Sequence, residues 1–150
     1  MLAAVMTARF EYGGGDEPSL EEWQAEVSAV CREFEPRLAE AEASHGEIRT
    51  IEEAVALFDT AIPILREYNR AITAVEVPSE RSGDVEEYLD SLAIEERRVI
   101  EIRQALFERD VETYRWLIAV QAPAYEYLNA KASELGVPAC DSRSTRTTRA

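Results

Sequence analysis

The sequence predicts an all-α chain folded as an antiparallel, up-down-up-down four-helix bundle with kinked helices. Three observations carry that reading. Apolar residues recur every three or four positions through four successive segments, each segment opens on a capping signal, and the connections between segments are short. At 150 residues, 46% of them hydrophobic, the chain is long enough for one domain with one sizeable core.

Residues 1–18 are expected to form a disordered leader, because Gly13, Gly14 and Gly15 followed by Asp16, Glu17 and Pro18 favour no regular element. Ser19 with Glu22 makes a capping box, and Leu20, Trp23, Val27, Val30, Phe34, Leu38 and Ala41 then form the stripe of a first helix. Gly46 breaks that pattern. Thr50 with Glu53 repeats the box before Ile51, Val55, Phe58, Ile62, Leu65 and Ile72, so the second helix runs to about Val75. Val77, Pro78, Ser79, Ser82 and Gly83 make the next connection. Asp84 and Glu87 are expected to cap a third helix striped by Val85, Tyr88, Leu92, Val99, Ile102 and Leu106 and ending near Glu108. Asp110 is placed as N-cap of a fourth helix carrying Tyr114, Ile118, Tyr125, Leu128 and Leu135, with Gly136 as its stop.

Helices of about twenty-five residues span roughly 37 Å each at 1.5 Å per residue, and short connections make neighbours antiparallel. The bundle domain therefore covers residues 19–140. Pro36, Pro63 and Pro123 fall inside helices, where each removes a backbone hydrogen bond and bends or splits its helix. Those bends either curve the helices around the core or shape a cavity. Residues 141–150, with Arg143, Arg146 and Arg149 among Ser and Thr, read as a disordered tail.

Sixteen basic against thirty acidic residues give a net charge of −14. Such a surface excludes a nucleic-acid partner, whose phosphates need a basic face, and is repelled by an anionic membrane. It also favours a monomer. No apolar run is long enough to span a bilayer. The stretch from Met1 to Met6 is apolar, but Arg9 and Glu11 end it before a signal-peptide core is complete. The chain reads as cytoplasmic, or as a mature segment whose signal has been removed.

Cys31 lies in the first helix and Cys140 just past the fourth, a spacing that excludes a CxxC redox site or a zinc knuckle. In this topology the start of the first helix and the end of the fourth share one end of the bundle. Cys31 lies about 18 Å into its helix, and five residues after Leu135 reach back about 16 Å. A bridge is within reach; the alternative is two unrelated thiols, with Cys31 a small core residue.

Val30-Cys31 in the first helix, Val77-Pro78 after the second, Arg109-Asp110 before the fourth and Glu134-Leu135-Gly136-Val137-Pro138-Ala139-Cys140 at the end form a recognisable set. Across Ser19 to Cys140 the chain resembles the small extracytoplasmic two-cysteine helical proteins of actinobacterial type, lipoprotein-like or hypothetical exported proteins that pair an early Cys with one after a terminal Leu-Gly. The resemblance implies an oxidising compartment and supplies no reaction. Gly13-Gly14-Gly15-Asp16-Glu17 looks like the spacer after the lipid-accepting Cys of such proteins, but Tyr12 stands at the Cys position, so lipidation is not implied.

Catalytic and cofactor motifs are lacking. His45 is the one histidine, and Glu42 with His45 gives a single Glu-x-x-His where a di-iron bundle needs two plus two further Glu. No metal, cofactor or catalytic residue is therefore expected. The adjacent pairs Glu52/Glu53, Glu86/Glu87 and Glu95/Glu96 point about 100° apart on a helix and cannot share a proton. Three polar residues interrupt the apolar stripes: Asn69, Glu95 and Gln121, the last two at similar heights. Together with Tyr114 or Tyr125 they would make an interior ligand pocket; alternatively Glu95 snorkels to water while Asn69 and Gln121 pin the register. Trp116 falls off its stripe and is the candidate anchor for a partner.

The expected function is a non-enzymatic, extracytoplasmic binding or structural module of the cell envelope, held by a Cys31 to Cys140 bridge, with an unidentified protein or small molecule as partner. Two alternatives stand beside it. One is a bundle that binds a small ligand in its polar pocket; the other is a cytoplasmic acidic adaptor with reduced thiols.

Overall fold

A computed structural model describes residues 17–143. Four α-helices follow one another, α1 Leu20–Ser44, α2 Ile51–Thr73, α3 Ser82–Glu108 and α4 Val111–Glu134, and a 3-10 turn spans Pro138–Cys140. The expected leader lies, except for Glu17 and Pro18, outside the described residues.

The caps explain where the helices begin. At α1 the Ser19 hydroxyl accepts from the Glu22 amide at 3.1 Å and the Glu22 carboxylate takes the Ser19 N–H at 2.8 Å. Thr50 and Glu53 repeat the arrangement at α2, and Asp110 accepts from the Thr113 amide at α4. The start of α3 differs from the expectation. It lies at Ser82, before Asp84, and its N-cap is Arg81 in the left-handed conformation with no side-chain cap. Asp84 sits instead in the first turn, where it complements the helix dipole and takes the Arg81 guanidinium at 2.9 Å. Pro36, Pro63 and Pro123 lie within helices that continue past them, so no helix is split.

Packing follows chain order: α1 lies on α2, α2 on α3 and α3 on α4, whereas α1 and α4 are joined chiefly through the 3-10 turn, which packs on both. The larger core surrounds that turn. Trp23, Val27, Cys31, Tyr88, Ala132 and Leu135 are all buried there. Cys31 and Cys140 form a disulfide, with Cα atoms 5.1 Å apart. At the opposite end a smaller cluster of Ile102, Ala105 and Leu117, covered by Phe58, Leu106 and Tyr114, holds α2, α3 and α4 together.

The end of α4 is locked onto α1 by a close approach. Gly136 has φ +77°, and the Gln24 side-chain amide donates to the Leu135 carbonyl at 2.8 Å beside it. A Cβ on residue 136 would fall 2.4 Å from Gln24 Nε2. Gly136→Ala is therefore expected to destabilise the fold by about 1–2 kcal/mol in urea unfolding, since it adds both a strained φ and a clash. A loss unchanged when Gln24 is also truncated to Ala would assign the whole effect to φ.

The packed chain continues past Cys140, where the tail was expected to begin. Asn129 Oδ1 accepts from the Ser142 amide at 3.2 Å, and Arg143 reaches both Asp141 and Glu126. Side-chain acceptors on α4 account for this, because they tie down three residues that carry no apolar anchor of their own. Residues 144–150 lie outside those described.

Candidate functional site

Between the two cores the helices leave a half-open cavity of about 690 Å³. Well-packed interiors leave few voids larger than a water molecule, and ligand pockets fall between roughly 300 and 1,000 Å³. Each helix contributes one stripe at helical spacing: Glu35, Leu38 and Glu42 from α1; Phe58, Ala61, Leu65 and Tyr68 from α2; Tyr88, Leu92, Glu95 and Val99 from α3; Tyr125, Leu128 and Asn129 from α4. The space exists because α1 and α4 meet only at the disulfide end, where Cys140 and Ser142 also line it.

Most of the polar groups gather toward that end, with Glu42 at the other. The Tyr68 hydroxyl donates to Glu35 Oε1 at 3.0 Å, and its ring stacks on Phe34 with centroids 5.4 Å apart. Burial, then the nearby Glu35 charge, raises the pKa values of Tyr68 and Tyr88, so both phenols stay protonated. Glu95 is pushed up to about 7, first by burial and second by Glu35, with Arg98 opposing. Asn69 Nδ2 donates to Glu96 at 2.8 Å, and Asn129 Oδ1 accepts from Ser142. The remaining atoms of those two amides, Asn69 Oδ1 and Asn129 Nδ2, are buried without a hydrogen-bond partner. Trp23 Nε1 shares that condition but belongs to the core beneath.

Of the residues singled out in the sequence, Asn69, Glu95 and Tyr125 come together on the cavity wall. Tyr125 is hydrogen-bonded to Ser142 there. Gln121 and Tyr114 do not join them. Gln121 accepts from Arg98 at 3.1 Å, one turn along α3 from Glu95, and Tyr114 packs over the smaller core. Both follow the α3–α4 contact, which turns them away from the gap facing α1. Glu35, Tyr68, Tyr88 and Asn129 escaped the sequence reading as site residues. Tyr68 and Tyr88 are core stripe positions, so stripe analysis assigns them to packing. Glu35 and Asn129 each follow a core residue, Phe34 and Leu128, and the spacing of Glu35, Leu38 and Glu42 was the available signal for a second inward face.

Trp116 is 63% exposed, and Phe107, Val111 and Ile118 around the α3–α4 connection are exposed as well. His45 bonds Thr60 at 3.0 Å and so joins the end of α1 to α2. Among the described residues no group of three or more His, Cys, Asp or Glu side chains is placed to hold a metal ion, and no helix is long and apolar enough to cross a membrane. Comparison with models of known protein families, with curated proteins and with solved structures finds no match to this chain.

Proposed function

We propose that the chain is a non-catalytic, disulfide-closed helical domain that holds a small ligand between its four helices, in an oxidising compartment outside the cytoplasm. The observation that carries this reading is the cavity itself, whose largely apolar wall gathers the carboxyls of Glu35, Glu42 and Glu95, the phenols of Tyr68, Tyr88 and Tyr125 and the amides of Asn69 and Asn129. Binding is favoured over catalysis because the polar lining is carboxyl, phenol and amide, while the one imidazole is engaged with Thr60. The Cys31–Cys140 pair and the resemblance to two-cysteine exported proteins support the compartment.

The neutral fluorophore N-phenyl-1-naphthylamine tests the cavity. It is expected to bind the oxidised chain saturably at one per molecule, and Ala61→Phe, which fills the cavity from α2, is expected to abolish the signal while leaving helicity intact. A chain that binds no probe, or binds it equally after filling, contradicts the reading. For the compartment, protein recovered from its source and alkylated before reduction is expected to carry no label on either cysteine. Two labels would place it in the cytoplasm.

A further inference from the structure

We infer that the cavity's ligand is an organic cation, a protonated amine on an apolar body, with its ammonium group placed between Glu95 and Asn69 and its body among Phe58, Leu65 and Val99. The inference rests on the ligand-binding reading above and narrows it to a chemical class.

Four features of the wall converge on this class. Glu95 puts a carboxyl inside a mostly apolar cavity, where burial and then the Glu35 charge on α1 raise its cost of ionisation. Arg98 opposes this only in part, and its guanidinium donates to Gln121 on α4. A ligand ammonium beside Glu95 would favour its ionised form. Second, the Asn69 side chain belongs to the same lining, and a rotation of it would bring Oδ1, which no donor of the protein meets, to an ammonium N–H. Third, Tyr68 and Tyr88 stand on the same wall, and aromatic rings attract cations in desolvated sites. Fourth, beyond the disulfide end the lining is aliphatic or aromatic except for Glu42, which suits a chain or ring on an amine and disfavours an anionic group there. Asn129, 2% exposed, adds an amide to the α4 side of the lining.

The groups facing Glu95 also fix how binding depends on pH. They are Glu35 from α1, Tyr68 from α2 and Tyr88 and Arg98 along α3, while Glu42 from α1 and Tyr125 from α4 share the cavity lining. Tyr68 and Tyr88 keep their protons over the neutral range, so Glu95 sets the response. Glu95 ionises near neutrality, and amine affinity therefore rises as the pH increases through about 7.

Calorimetric titration of the full oxidised chain with octylamine, 1-octanol and octanoate tests the class, because the three share one chain length and differ in charge. At pH 8 octylamine is expected to bind at least about ten-fold more tightly than 1-octanol, with octanoate weakest. That preference should shrink on going to pH 5.5. Glu95→Gln, which keeps the side-chain shape, should remove the preference and leave 1-octanol and N-phenyl-1-naphthylamine binding in place. Equal affinities for octylamine and octanol, or tighter binding of octanoate, with the fluorophore still bound, would overturn the cation and leave the cavity standing. Loss of fluorophore binding as well would overturn both.

Discussion

Replacing Cys31 and Cys140 with Ser is expected to lower the unfolding free energy by about 4–5 kcal/mol, because the bond closes a loop of 109 residues and so constrains nearly the whole unfolded chain. Against a typical domain stability of about 5–15 kcal/mol this is a large fraction. The folded state adds a second reason. Since α1 and α4 meet mainly through the 3-10 turn, the bond is the covalent tie across the open edge of the bundle. Trp23, Val27 and Leu135 still pack there without it, so the variant should fold at low temperature with its helices intact. Fluorophore binding should weaken along with stability, since the bonded cysteine forms part of the cavity wall. Urea unfolding of the oxidised, reduced and double-Ser chains measures the effect. A loss below about 1 kcal/mol would show that the apolar contacts alone hold that end closed.

Raising the pH from 5 to 8 is expected to cost the free protein about 2 kcal/mol, with Glu95 responsible. Its folded-state pKa lies at about 7, against an ordinary 4.5. Below 4.5 the carboxyl is protonated in both states and its contribution is fully present. Between 4.5 and 7 the unfolded chain ionises first, so stability falls with rising pH and levels off above 7. The full shift corresponds to somewhat over 3 kcal/mol, and partial contact with solvent reduces it to about 2. The lowered carboxyls of Glu22, Glu53, Glu87, Asp110 and Asp141 act in the opposite sense and at more acid pH, where protonation removes their hydrogen bonds. The two windows are thus separate. Glu95→Gln should flatten the curve between pH 5 and 8 and make the chain more stable than wild type at pH 8. An unchanged slope would remove Glu95 from the interior electrostatics. Saturating octylamine should reduce the wild-type slope, because a bound ammonium stabilises the ionised carboxyl.

Much of the architecture was legible because its signals are local. Ser19/Glu22, Thr50/Glu53 and Asp110 cap helices where their spacing implies, and Gly136 ends α4 through a positive φ that suits glycine. The start of α3 was harder to read. Arg81 adopts a left-handed conformation that non-glycine residues seldom take, and nothing in its neighbourhood of sequence announces it. Half of the cavity wall was legible for a related reason. Asn69, Glu95 and Tyr125 interrupt or occupy apolar stripes, which points them inward on any bundle. Gln121 interrupts its stripe too, yet it serves Arg98, because a stripe shows that a residue faces inward and not which neighbour it meets. Glu35 and Asn129 look inward only because α1 and α4 stand apart, and that separation is a property of the assembled bundle.

The most direct test follows the side-chain amide and indole resonances of isotope-labelled, oxidised protein during titration with octylamine. A ligand inside the bundle is expected to shift the Asn69 and Asn129 side-chain amide signals together, saturating at one equivalent, while the indole signal of the exposed Trp116 stays in place. Shifts confined to Trp116 and the backbone of Phe107, Val111 and Ile118, with both asparagines unmoved, would contradict an interior site and place recognition on the outer face of the α3–α4 connection.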